Sequence, residues 1–362
     1  MRSSARKSLD VLYDWIERKY RVMEYRRKAS HRKKLLHGGY PCRKEYTRDV
    51  VPYWKPYGVK PGRAWYSLLS YYSHEVDPRY IPDDIWFDRI LPYYSNTSFR
   101  RFGEDKNYLA VWFPDARRPK TIVSCIAGVF YDGDYRIISR EDAVTRCVAQ
   151  QRFLVKPSVD SGGGRLIRFF DGQECSASAV AETFEQIGGN FIAQEIVSQH
   201  ESIRQLNPDS LNTLRILTFL FENEVHVLSV ILRIGGSGSR VDNVGAGGFA
   251  CAVDGEGRLD RFAINRKSER CETTPEGIRF DSVVIPNYCK AVETAKRLHE
   301  KLAHFKLVGW DIGIDANAEP VLIEYNTAPG QNQYCCGPTF GELTDKVLTD
   351  VFITKRLKNS RN

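Results

Sequence analysis

Near the C-terminus the run Val308-Gly309-Trp310-Asp311-Ile312-Gly313-Ile314-Asp315 is followed by a short turn and then by Pro320-Val321-Leu322-Ile323-Glu324-Tyr325-Asn326. Two such runs read as a β-hairpin, and because strand side chains alternate between faces, Glu324 and Asn326 share one face. An antiparallel partner brings Asp311 to that same face. Two carboxylates and an amide among Val, Leu and Ile are costly to bury without a compensating cation. The chain therefore has to build a sheet that offers three oxygen ligands to a hard metal. Mg2+ suits the set, since it takes carboxylate oxygen, keeps waters and completes its shell with phosphate oxygens. A strand that ends in a solvated Glu and an Asn-led turn would carry the same residues, so a second feature has to decide.

That feature is Phe153-Leu154-Val155-Lys156-Pro157, followed by Asp160-Ser161-Gly162-Gly163-Gly164 and the strand-like run Arg165–Phe170. A lysine closing one strand and a glycine-rich turn opening the next lay backbone N–H groups over nucleotide phosphates, with the ammonium as a point charge. The spacing is neither that of a P-loop nor that of a GxGxxG turn opening a helix.

With 362 residues the chain is large enough for two or three packed units. Hydrophobic residues at 42% and charged residues at 27% exclude global disorder and a membrane-embedded chain. The longest apolar stretches, Thr121–Tyr131 and Leu214–Phe221, fall short of the roughly 20 residues that cross a bilayer. Met1–Asp10 has no apolar segment of the kind a secretory signal needs, so a cytoplasmic location is expected. Nine cysteines without a CxxC pair are expected as reduced, mostly buried thiols. The net charge of +8 is concentrated at one end: residues 1–63 hold 18 Lys and Arg against 6 Asp and Glu, and the rest of the chain is negative. Either a solvated helix face or a patch for anionic lipid or an acidic polysaccharide has that composition, and no nucleic acid is expected as a partner.

From Ser8 to Leu36 there is no Pro or Gly, and Leu9, Leu12, Tyr13, Ile16, Tyr20 and Met23 recur at spacings that predict an amphipathic helix. A Tyr/Trp-rich stretch follows, punctuated by Pro41, Pro52, Pro56, Pro61, Pro78, Pro82 and Pro92, which predicts short helices joined by proline turns. Strands are predicted at Thr121–Val129, Arg152–Lys156, Arg165–Phe170, Phe191–Ile196, Thr213–Phe221, Val225–Arg233, Lys306–Asp315 and Pro320–Tyr325. Helices are predicted at Ser139–Gln150, Ser176–Ile187 and Ile285–Leu302.

The order of these pieces resembles the ATP-grasp superfamily over roughly residues 100–350. The pattern matches a first lysine in Asp105-Lys106, a second, Lys156, before the glycine-rich loop, and a hinge Gln194-Glu195-Ile196-Val197 for adenine with Glu201 near the ribose. It closes on the metal set Asp311, Glu324 and Asn326, with Glu324 thirteen positions after Asp311. Asp77–Pro82, Phe113-Pro114-Asp115, Asn207–Arg215 and Arg233-Ile234-Gly235 with Val241-Asp242-Asn243 are similar to the sugar-transfer associated ATP-grasp proteins of bacterial surface-polysaccharide gene clusters.

The resemblance implies an α+β fold in which two α+β subdomains clasp ATP, preceded by a helical Tyr/Trp-rich extension. The expected parts are 1–97, a basic helical region; 98–195, with the glycine-rich loop; and 196–362, with the metal set. It implies ATP and Mg2+ as cofactors. Lys106, Lys156, Ser161, Gly162 and Gly163 would meet phosphates, and Arg215 and Arg233 would act on the transferred phosphoryl group. The implied reaction activates a carboxylate as an acyl phosphate for attack by an amine, on a small-molecule or glycan substrate. Phosphotransfer to a hydroxyl and nucleotide binding without turnover are the alternatives. A metal-facing carboxylate such as Asp311 is expected to be dispensable for folding, because removing it relieves like-charge repulsion.

Overall fold

In the computed structural model the described residues are 2–159, 164, 166–242 and 244–354, with side chains described from residue 16 onward except at 97, 101, 173 and 246. They divide into two compact units. One takes residues 2–96, 267–269 and 330–354, and the other takes 97–266 and 270–329.

The first unit is helical. Its long helix runs from Arg2 to Leu35, starting six residues before and ending one residue before the predicted Ser8–Leu36. It ends where Gly38 takes φ +97° and donates its N–H back to the Lys33 carbonyl at 3.0 Å, a conformation glycine adopts at little cost. Ala29 and Leu36 are buried, Tyr25 stacks on Phe87 at 4.9 Å, and Arg18 and Arg26 bind Asp88 and Asp84. The proline punctuation does give short helical pieces, including Val51–Trp54 and Leu91–Tyr94, each with proline in its first turn directly after a π-helical turn, Tyr46–Val50 and Trp86–Ile90. Trp54, Trp86, Tyr66 and Ile81 are almost fully buried, so the aromatic richness supplies this unit's core.

The second unit holds two antiparallel sheets. Strands β1 (Thr121–Ile126), β2 (Val129–Asp132), β3 (Arg152–Pro157), β4 (Arg168–Asp171) and β5 (Phe191–Gln194) form the first, in the order β2-β1-β5-β3-β4. Helices Arg140–Gln150 and Ala177–Ile187 contribute Ala143, Cys147, Val180 and Phe184 to its core. Their N-caps are Ser139 and Ser176, whose hydroxyls accept the N–H of Asp142 and Ala179. The single strand predicted over Thr121–Val129 is a hairpin, because Ala127 and Gly128 both have positive φ and reverse the chain between Ile126 and Val129.

Strands β6 (Thr213–Phe221), β7 (Glu224–Ile234), β8 (Phe249–Val253), β9 (Leu259–Asn265), β10 (Arg270–Cys271), β11 (Leu307–Ile314) and β12 (Pro320–Asn326) form the second sheet, in the order β10-β9-β8-β7-β6-β11-β12. Helix Tyr288–His299 packs on it across β6, β7, β11 and β12. The predicted start at Ile285 is too early, since Ile285 precedes Pro286, which disfavours helical backbone there, and Asn287 takes φ +50° before the helix begins at Tyr288. Strand β11 is buried on both faces. Val308, Trp310, Ile312 and Ile314 enter the core, while Gly309, Asp311 and Gly313 alternate to the other side. All nine cysteines are free thiols; four are buried and Cys289 and Cys336 are exposed, so the expected burial holds only in part.

Candidate active site

The register of four strands turns distant residues into one row. Arg233 of β7 lies opposite Thr213 of β6, Arg215 of β6 opposite Asp311 of β11, and Asp311 opposite Glu324 of β12. Residues opposite in a ladder share a face, and Thr213 is two positions before Arg215, so all four charged residues stand on the side away from the core. Asn326 follows on the same face, opposite Gly309. A bulge where Asp311 and Ile312 pair with Glu324 and Leu322 leaves Ile323 over, and Ile323 and Glu324 both reach the cleft described below.

The row is knit by ion pairs. Arg215 holds Asp311 in a fork, Nε to Oδ1 at 2.5 Å and Nη2 to Oδ2 at 2.8 Å, and Arg233 adds Nη1 to Oδ2 at 3.1 Å. Lys106 Nζ is 2.9 Å from Glu324 Oε2. Burial works to raise the Asp311 carboxyl, but Arg215 and then Arg233 outweigh it and hold it at about 2. Lys156, buried at the end of β3, is pushed down to about 8, first by burial and then by the nearby Lys106 ammonium. Asp242 is raised by burial although Arg233 opposes the shift; its carboxylate accepts the Thr213 hydroxyl and lies 3.5 Å from Arg233.

These groups open on a cleft of about 680 Å3 lined by Lys106, Lys156, Gly164, residues 194–199, residues 208–211, Arg233, residues 240–242, Asp311 and Glu324 among others. Gln194 ends β5 between β1 and β3. The Glu195 backbone and carboxylate clasp Lys120, through N–H to carbonyl at 3.0 Å and from the Lys120 N–H at 2.9 Å, which leaves Ile196 and Val197 on the lining. Arg215 and Asn326 are not in the lining and reach it through their neighbours. Glu201 is also outside it, bound to Arg204 at 2.6 and 3.1 Å, and Arg204 itself lines the cleft. Ser161, Gly162 and Gly163 lie outside the described residues.

Glu104 and Gln199 escape a reading by motif, whereas Asn212, Gly235 and Asp242 lie in runs named from the sequence without a role for them. Glu104 accepts the Thr327 N–H at 2.7 Å and its hydroxyl at 2.8 Å, tying the Lys106 segment to the end of β12, while Lys106 N–H donates to the Ser158 carbonyl at 3.0 Å. Gln199 and Asn212 lock the 207–212 loop through bonds to the carbonyls of Asn207 and Ser210. Gly235 is required there, because a Cβ would lie 2.3 Å from Asn207 Nδ2 and 2.4 Å from Ser210 Oγ. Gly309 likewise leaves space, its Cβ position being 3.3 Å from Arg215 Cδ.

The family model described as sugar-transfer associated ATP-grasp matches residues 116–335, more than half of the chain. The chain belongs to this ATP-grasp family. Among solved structures it is similar to the ATP-grasp ligase PsnB complexed with minimal precursor, Mg and ADP, at 13% identity and a TM-score of 0.39, over 71% of this chain and 62% of that one. It is also similar to the D-cycloserine synthetase DcsG, at 15% identity and TM-score 0.42 over 68% and 71%. D-alanyl-alanine synthetase A from Vibrio cholerae gives 9% identity and TM-score 0.40 over 69% and 66%. The chain thus spans 62% of the length of PsnB. No curated protein matches its sequence. ATP and Mg2+ are the cofactors typical of the ATP-grasp fold.

The donor chemistry here fits Mg2+. Asp311 and Glu324 face one another in register with Asn326 on the same face beside them, and their side-chain oxygens are hard donors.

Proposed function

We propose that the protein is an ATP- and Mg2+-dependent ligase that activates a carboxylate as an acyl phosphate and joins it to an amine. The observation that supports this reading is the row Arg233, Arg215, Asp311, Glu324 beside Lys106 and Lys156 on one cleft. Part 98–195 supplies the two lysines, which would bind the α and β phosphates as point charges. Part 196–362 supplies Asp311, Glu324 and Asn326 to hold Mg2+, which when bound neutralises β and γ oxygens. Arg215 and Arg233 would stabilise the charge on the phosphoryl group in flight. The backbone of residues 194–197 would take the adenine.

A carboxylate oxygen of the substrate forms a bond to the γ phosphorus as the bond to the β–γ bridging oxygen breaks, and ADP leaves. The amine nitrogen then attacks the acyl carbon, inorganic phosphate departs, and the amine proton passes to solvent. A uronic acid of a surface glycan joined to an amino acid or amino sugar, made in the cytoplasm, suits the family's sugar-transfer association. The test is phosphate release from Mg·ATP across a panel of uronic acids, amino acids and amino sugars, with products weighed by mass spectrometry. An amide that needs both substrates supports the proposal. A stable phosphate ester formed on a hydroxyl substrate alone would make the protein a kinase, and nucleotide binding with no turnover on any pair would make it a binding protein.

A further inference from the structure

The long N-terminal helix has one face spent and one face open. Toward its own unit it directs Arg18 on Asp88, Tyr25 on Phe87, Arg26 on Asp84 and the buried Ala29 and Leu36. At 3.6 residues per turn the opposite side carries Ile16, Tyr20 and Met23, which are 53%, 59% and 62% exposed. The same line continues into the exposed Arg27 and Lys34. Solvent-facing helix positions are ordinarily polar, so three large apolar side chains at successive turns on this side are the feature to explain.

The charge around the stripe narrows the partner. Residues 16–35 contain nine Arg and Lys against only Glu17 and Glu24, and Glu17 is already bound to Arg21 at 3.2 Å. Some of these cations are engaged: besides Arg18 and Arg26, Arg32 lies over Tyr334 and Lys28 over Tyr25. An apolar stripe bordered by cations needs a partner with hydrocarbon beneath a negative surface. A nucleic acid or an acidic glycan offers the charge without the hydrocarbon, and a second copy of this helix would bring like charge against like.

We propose that this face docks on an anionic lipid bilayer, the helix lying in the interface with Ile16, Tyr20 and Met23 among the acyl chains and Arg27 and Lys34 at the headgroups. The docking is peripheral, since no described helix is long and apolar enough to cross a membrane. None of these residues lines the nucleotide cleft, so the inference stands whichever reaction the cleft performs.

Vesicle flotation of the full chain tests it, with phosphatidylcholine vesicles made with and without phosphatidylglycerol. The wild type should float with the anionic vesicles only, and high salt should release it because screening shortens the reach of exposed charge to a few ångströms. Ile16→Glu with Met23→Glu, and separately Arg27→Glu with Lys34→Glu, should each lower partitioning by about tenfold or more. Both variants change exposed side chains, and unchanged melting and nucleotide affinity would show that they fold. No flotation of the wild type, or flotation indifferent to both variants, overturns the proposal. So does a concentration-dependent dimer that Ile16→Glu with Met23→Glu disperses while vesicles stay unbound, because a second copy would then be the occupant.

Discussion

Asp311→Asn sets two views of one carboxylate against each other. If Asp311 meets only metal, the ligand-free protein loses nothing without it. The structure instead makes it the shared acceptor of Arg215 and Arg233, so the substitution leaves the half-buried Arg215 guanidinium without its forked partner and Arg233 with Asp242 at 3.5 Å. The drop of the Asp311 carboxyl from 3.8 to about 2, at about 1.36 kcal/mol per unit, is worth about 2 kcal/mol. Removing one member of a buried pair costs more, about 3–5 kcal/mol, because the partners keep their charge and lose its compensation. At about 2–4 °C per kcal/mol for a body of this size, the melting temperature should fall by about 6–20 °C. The folded value lies below the unfolded one, so this stabilisation is full above pH 4 or so and is lost as pH falls toward 2. The gap between wild type and variant should therefore be widest near neutral pH and close in acid. Differential scanning calorimetry without nucleotide, over that pH range, reads both effects. A variant that melts within about 2 °C of wild type at pH 7 refutes the pairing, whatever happens to turnover.

Lys156→Met is expected to raise the melting temperature at pH 7 while weakening ATP binding in calorimetry, because a lysine pushed down to about 8 is a charged group buried at a cost below that pH, a cost that fades between 8 and 10.5. Unchanged ATP affinity would remove Lys156 from the site, and a lowered melting temperature would refute the burial argument. Gly235→Ala should cost about 1–3 kcal/mol in thermal unfolding and loosen nucleotide binding, since its Cβ would push on Asn207 and Ser210 behind the lining residues 208–211; wild-type stability would show that the loop yields freely. Lys106→Gln should increase Mn2+ binding to the nucleotide-free protein, read by electron paramagnetic resonance, because Glu324 loses its competing ammonium; equal binding would mean that the pair does not compete with metal.

The β11–β12 hairpin was legible because its strands are adjacent in sequence, so Asp311, Glu324 and Asn326 were read as sharing one face; the bulge that sets Asp311 opposite Glu324 was not. The partners of Asp311 were named as phosphate groups rather than as its own ion pairs. Arg215 and Arg233 lie 96 and 78 positions away, and only the strand order β7-β6-β11 brings them to it. Strands β8 to β10 went unread because they are short and separated by turns at Gly247 and Asp254–Gly257, where the local composition favours loop. Glu104 was invisible for a different reason. Its donors are the N–H and hydroxyl of Thr327, a contact across 223 positions that leaves no periodic trace.

The pairing pattern also changes what nucleotide entry has to accomplish under the proposed reading. Like charge is not being stored at the metal set for Mg2+ to relieve, because Asp311 is already matched by Arg215 and Arg233 and Glu324 by Lys106. Metal arriving alone would have to displace a forked guanidinium from a buried carboxylate and leave that guanidinium without an anion, which is the same penalty that Asp311→Asn incurs. Phosphates arriving with the metal remove the penalty. Their oxygens offer Lys106, Arg215 and Arg233 new anionic partners at the moment the carboxylates turn to the metal, so each cation exchanges one acceptor for another. Metal affinity in this cleft should accordingly be low without nucleotide and rise with it, and by linkage nucleotide affinity should rise by the same factor with metal present.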